Sequence, residues 1–174
     1  MLIVWFQLLS TDIHRFSLGE VAAQCFVFFI AGFETSSTAT QFALYELARN
    51  PDVQKKLQQE IDEMKRQNGG KITYEAVQSM EYMDRVVAET LRMYPPLPVL
   101  TRQCTKTYTI PGTDAVIDEG VLAIIPVYAI QRDERFFPNP NQFDPERFTE
   151  ENKAKRDHYV YLPFGEGPRI CIGK

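Results

Sequence analysis

Apolar and polar positions keep a helical period over the first half of this chain and lose it in the second. Ser17 followed three residues later by Glu20 forms a capping box in front of the apolar run "EVAAQCFVFFIAGF", and helix-compatible sequence continues to about Arg49. This predicts one very long helix. The run falls short of a bilayer span and is interrupted by Gln24, so a buried helix is expected. Asn50 as N-cap and Pro51 as first helical residue start a second helix, "DVQKKLQQEIDEMKRQ", amphipathic and ended by Gly69 and Gly70. Thr73 caps a short helical turn, and "MEYMDRVVAETLRMY" is a third substantial helix stopped by "PPLP". Beyond the prolines the runs become short and β-like, "VLTRQCT", "KTYTI" and "VLAIIPVYAI", separated by the turns "PGTD" and "DEG". From Arg132 onward "RDERFFPNPNQFDPERF" carries Pro and Asn too densely for regular structure, and a glycine-rich loop closes the chain. The expected class is mainly α with a small β portion.

Composition narrows the function classes. The 174 residues are 44% hydrophobic and 24% charged, which suits a packed core and argues against disorder. A net charge of −4 leaves no basic field for a nucleic acid, and no Lys/Arg stripe interleaved with aromatics occurs. Nucleic acid is excluded as a partner. Cys25, Cys104 and Cys171 are too scattered for a disulfide framework, and neither His14 nor His158 stands at a zinc-ligand spacing from them, which fits a reducing compartment. The opening "MLIVWFQLLS" is apolar but short and has no basic n-region, so it reads neither as a signal peptide nor as an anchor.

Four stretches carry candidate chemistry. In "PFGEGPRICIGK", Gly165, Gly167 and Gly173 surround Cys171, so the backbone can approach a sulfur or a flat cofactor with no side chain in the way. A structural thiol in a turn fits the same residues. In "ETLR", Glu89 and Arg92 share a helix face, as any solvated ion pair would. In "DPERF", Arg147 is placed to join them in a bidentate network of three. In "AGFETSS", Gly32 thins the long helix and Thr35 can bond back to the Ala31 carbonyl, opening the backbone ladder beside Glu34. An ordinary glycine followed by a polar turn is the alternative.

Taken in order and at their separations, "AGFETSS", "ETLR", "DPERF" and "PFGEGPRICIG" resemble the signature set of the cytochrome P-450 haem-thiolate monooxygenases. The likeness runs from Ser17 onward, and its texture is similar to the microsomal detoxification-type enzymes of insects. It implies a partial cytochrome P-450 fold: a long central helix, following helices, a small sheet, a meander and the cysteine ligand loop. By resemblance Cys171 is the axial thiolate ligand of haem iron, the ligation known for this family. Phe164, Gly165, Gly167 and Gly173 then form the haem-facing loop, and Arg169 pairs with a haem propionate. Arg102 is implied as a second propionate partner, with a strand-edge charge as the alternative. Glu89, Arg92 and Arg147 resemble the family's Glu-Arg-Arg network, a partly buried structural lock. Glu34 and Thr35 resemble its proton-relaying acid–alcohol pair, set at a kink. Phe29, Phe33, Thr38, Val99 and Leu100 are candidate linings of a substrate pocket, or simply core.

The resemblance implies an oxidoreductase that inserts one oxygen atom of dioxygen into an apolar small molecule, with electrons from NADPH through a flavoprotein reductase. It implies a place on the cytosolic face of the endoplasmic reticulum membrane, with the membrane contact made by regions absent from this chain. A complete family member is much longer. The expectation is therefore a fragment truncated at both ends, with residues 1–16 unassigned and 17–174 a partial haem-thiolate monooxygenase domain ending just after the ligand loop. Such a fragment is not expected to be competent alone. A fragment of a peroxide isomerase or dehydratase of the same family, or a truncated product without haem, are the other readings. Glu34 and Thr35 favour the monooxygenase, because a peroxide isomerase needs no proton relay.

Overall fold

The computed structural model describes residues 16–174, so the opening apolar run and His14 lie outside the described residues. The chain divides into two compact units, Met1–Ser36 and Ser37–Lys174. Helix α1 spans Leu18–Arg49, 32 residues, and belongs in part to each. Its start is the expected capping box: Glu20 N–H donates to Ser17 Oγ at 3.3 Å, and Ser17 N–H donates to Glu20 Oε2 at 2.8 Å.

One expectation about α1 is corrected, and α-helical structure runs unbroken through Gly32. Thr35 Oγ1 does donate to the Ala31 carbonyl, at 2.7 Å, yet a back-bond of this kind is accommodated within continuous α-helix. The apolar run is not buried: Phe26, Phe29 and Phe33 are all more than half exposed, and Glu46 is the one buried residue of α1. By length and composition alone α1 is also long enough and apolar enough to cross a membrane, because the helix carries the run well past Gln24.

In the second unit, α2 (Pro51–Gln67) buries Val53 and Leu57 and leaves its other face to solvent, as its pattern predicts. Pro51 takes the first helical position, but Asn50 does not cap α2. Its amide donates backward to the Glu46 carbonyl at 2.8 Å and to Glu46 Oε2 at 3.0 Å. Thr73 caps α3 (Tyr74–Gln78) by accepting the Ala76 N–H. Helix α4 (Glu81–Met93) has no side-chain cap of its own. Glu60 of α2 supplies it, accepting the N–H groups of Tyr82 and Met83 at 2.8 and 2.9 Å.

Helix α4 lies between two apolar clusters. Tyr82, Val86 and Met93 pack with Val53, Leu57 and Phe143, while Ala88 packs against Phe137, Phe148 and Val160. After it come two small antiparallel pairs. Strands β1 (Leu100–Gln103) and β4 (Leu122–Ile125) pair with Leu100 opposite Ile125, and β2 (Tyr108–Thr109) pairs with β3 (Val116–Ile117). The expected strand "VLAIIPVYAI" breaks at Pro126, which lacks a ladder donor and becomes the N-cap of one helical turn, α5 (Val127–Ile130). The meander holds more order than its prolines suggest. Asp144, Thr149 and Asp157 each cap a short turn: a 3₁₀ turn at Pro145–Phe148, helix α6 (Glu150–Ala154) and a 3₁₀ turn at His158–Val160.

Candidate thiol-ligand site and the network beneath it

Glu89 and Arg92 stand one turn apart on α4 and are both fully buried, deeper than the partly buried network expected from sequence. Their contact is bidentate: Arg92 Nε donates to Glu89 Oε2 at 2.6 Å and Nη2 to Oε1 at 2.8 Å. Arg92 also donates from Nη1 to the Gln131 carbonyl at 2.8 Å and from Nη2 to the Pro140 carbonyl at 2.9 Å. Glu89 Oε1 accepts the Asp144 N–H at 2.9 Å. One ion pair thus holds the end of α5 and two points of the meander.

The expected third member is weaker than the resemblance implies. Arg147 Nε lies 3.4 Å from Glu89 Oε1 but makes no hydrogen bond, so the bidentate role belongs to Arg92 alone. Arg147 Nη2 instead donates to the Asn139 carbonyl at 3.0 Å. Burial pushes the Glu89 carboxyl above its ordinary range, against the opposing pull of the Arg92 hydrogen bonds. The pair therefore fixes geometry more than it adds net stability.

Sequence reasoning missed Gln131. Fully buried, it donates from Nε2 to the carbonyls of Leu91 and Arg92, at 3.1 and 3.0 Å, and accepts the Leu162 N–H on Oε1 at 3.0 Å. It ties the last turn of α4 to the first residues of the glycine-rich loop. A lone glutamine carries no signal in sequence, since most are exposed. Tyr161 adds a second tie, its hydroxyl donating to the Ala88 carbonyl at 3.0 Å, and burial pushes its phenol well above the ordinary value. Arg156 lies over the rings of Phe137 and Phe148, 4.6 and 4.8 Å from their centroids, and burial holds its guanidinium below the ordinary value.

On this base the loop turns back on itself. Gly165 N–H donates to the Leu162 carbonyl at 3.1 Å, Ile170 N–H to Gly167 at 3.0 Å and Cys171 N–H to Phe164 at 2.9 Å. Gly165 and Gly167 adopt φ of 72° and 80°, the left-handed region that favours glycine. Cys171 is exposed and free of any disulfide, and a Cβ placed on Gly173 would lie 3.9 Å from its sulfur. Arg102 is brought to this loop from β1: its Nη2 donates to the Glu166 carbonyl at 3.4 Å. Leu100 meets the loop as well, its Cδ1 lying 3.6 Å from where a Cβ on Gly165 would stand. Phe164 is half-buried and helps line a cleft of about 300 Å³ with Phe148, Arg156 and Tyr161, while Arg169 is exposed.

The remaining sequence candidates stand apart from the loop in the chain. Val99 is exposed just before β1, and Thr38 is half-buried on α1. Phe29 and Phe33 stack with centroids 6.2 Å apart on the same stretch of the first unit that carries Glu34 and Thr35. An exposed thiol beside a small residue, on a loop with a guanidinium at its edge, suits a flat iron-bearing group with carboxylate arms. The residues present fit haem.

An exposed thiol on a loop of this kind, above a buried ion-pair network, is the arrangement a haem-thiolate protein needs. The family profile for cytochrome P450 matches residues 6–174, and the chain belongs to that family. It is 52% identical over 91% of its length to "Probable cytochrome P450 6a13" of Drosophila melanogaster. It is 47% identical over 94% to "Cytochrome P450 6k1", and 50% identical over 88% to "Cytochrome P450 9e2", both of Blattella germanica. The chain spans about a third of the length of these relatives, 32%, 31% and 29% in turn. The family's cofactor is haem held through a cysteine thiolate.

Arg92→Ala leaves the Glu89 charge buried without its bidentate partner and is expected to cost about 3–5 kcal/mol. Arg147→Ala, losing one backbone bond and a loose approach, is expected to cost about 1 kcal/mol. Urea unfolding of both variants checks the ranking, and equal losses would show that Arg147 is a full member of the pair.

Proposed function

We propose that these residues are the thiolate-bearing part of a monooxygenase that inserts one oxygen atom into an apolar small molecule. The carrying observation is the exposed Cys171 at the close of a loop fastened at Phe164, Glu166 and Leu162. Thiolate-ligated haem would supply dioxygen activation. In this reading Cys171 would hold the iron through its sulfur, Arg102 and Arg169 would pair with the carboxylates, and Phe164 would pack beside the thiolate. Gly165, Gly167 and Gly173 leave the loop flat enough for that approach.

Glu34 and Thr35 deliver protons. The Thr35 hydroxyl spends its hydrogen on the Ala31 carbonyl, so its oxygen is oriented to accept from a proton-carrying water, and Glu34 beside it is the acid. Phe29 and Phe33 in the first unit, and separately Thr38, Val99 and Leu100 in the second, are the candidate contacts for an apolar substrate. Electrons come from NADPH through a flavoprotein reductase, on the cytosolic face of the endoplasmic reticulum membrane. The exposed phenylalanines of α1 support the view that this segment works only within a chain of its relatives' length.

In such a chain Cys171→Ser is expected to abolish the red-shifted thiolate band of the reduced, CO-bound protein. A variant that keeps the band refutes the ligand assignment.

Thr35→Ala is expected to leave the fold and haem content intact, since alanine suits a continuous helix better than threonine does. Product formed per NADPH consumed should fall while released hydrogen peroxide rises. An unchanged product-to-NADPH ratio, measured with one accepted substrate and the same reductase, removes Thr35 from proton delivery.

A further inference from the structure

The turn of the ligand loop is built on a weak point. Residues 165–167 place Glu166 between two glycines that both hold positive φ, and such a segment can flip at little steric cost. The structure ties Glu166 at both ends. Its Oε2 meets His158 Nε2 at 2.9 Å, its Oε1 accepts the Gly167 N–H at 3.3 Å, and its carbonyl accepts Arg102 Nη2 at 3.4 Å. His158 in turn is well founded. It opens the 3₁₀ turn capped by Asp157, and that turn runs into buried Val160 and into Tyr161, which bonds to α4.

We propose that Glu166, held by His158, is a positioning residue that locks the double-glycine pivot and so fixes where the Cys171 sulfur stands. The proposal rests on the reading of Cys171 as the haem ligand. The strut joins the α4-anchored meander to the stretch between the Leu162 and Cys171 backbone bonds, where Ile170 N–H holds the Gly167 carbonyl and side chains hold Glu166. His158 and the Gly167 N–H both hold the Glu166 carboxyl below its ordinary range, His158 with the larger effect, which agrees with a carboxylate engaged on each oxygen. An exposed pair of this type adds little to global stability. Its effect is therefore local: without it the fold survives, and the ligand loop samples orientations in which the sulfur leaves its place.

The test uses haem-loaded protein of the relatives' length, reduced and bound to CO, and follows the thiolate band as it converts to the neutral-thiol band. Glu166→Ala and His158→Ala are each expected to speed that conversion at least threefold, and the double variant no further than either alone, with unfolding midpoints close to the parent. Glu166→Gln, whose single amide oxygen can keep one of the two contacts, is expected to recover part of the loss. Glu151→Ala, which removes an unrelated exposed pair with Lys155, should leave the rate unchanged. Conversion at the parent rate in both alanine variants overturns the proposal, as does strict additivity in the double variant. If Glu166→Ala fails to fold, His158→Ala and Glu166→Gln still decide the matter. A parent protein with no thiolate band overturns the ligand reading itself, an outcome distinct from a parent with the band whose variants behave like it.

Discussion

The buried contact between Glu89 and Arg92 is the constraint on which the rest of the second unit depends. Two opposite charges with no exposure are costly to remove from water, and the cost is tolerable only when the remaining donors and acceptors are satisfied. Here the Arg92 guanidinium is met by the carbonyls of Gln131 and Pro140 as well as by both Glu89 oxygens, and Glu89 takes the Asp144 N–H besides. Each added partner is backbone from a segment with little regular structure. The pair can be satisfied only if residues 131, 140 and 144 stand where they do. A meander rich in proline and asparagine thereby acquires one shape.

From that shape follows the position of the ligand loop. Gln131 carries the order of α4 to Leu162, Tyr161 repeats the tie through Ala88, and β1 reaches the same loop through Arg102. The thiol itself is exposed, so its placement owes nothing to burial around the sulfur. It is set by backbone hydrogen bonds within the loop and by what lies beneath. This division suits a metal ligand: the reactive atom stays open to its cofactor while the scaffold that aims it is rigid. Thr35, proposed to handle protons, is oriented on a different principle, by its own helix through the Ala31 carbonyl.

Local rules of helix formation were legible in the sequence where the signal is local. The Ser17–Glu20 box, Thr73 as a cap, Pro51 at the first position and the Thr35 back-bond all depend on residues within one turn of each other. Partners brought from afar were not legible. Asn50 turns toward Glu46, because that carboxylate also takes the Tyr94 hydroxyl and needs its second oxygen satisfied. The N-terminus of α4 is capped by Glu60, more than twenty residues earlier in the chain. Of the network, the motifs carried the membership of Glu89 and Arg92. They did not carry the ranking of Arg147 below Arg92, which depends on how its Nε approaches Glu89, or the presence of Gln131, whose type normally faces water.

If the ion-pair network positions the ligand loop, the link between them is Gln131, and severing it should free the loop while leaving α4 in place. Amide hydrogen exchange in the intact protein, compared with Gln131→Met, measures this directly, because methionine keeps the volume and removes the Leu162 acceptor. The account predicts faster exchange at Leu162, Gly165 and Cys171, with the amides of α4 protected as before. Unchanged exchange across residues 162–171 in a folded variant would contradict it.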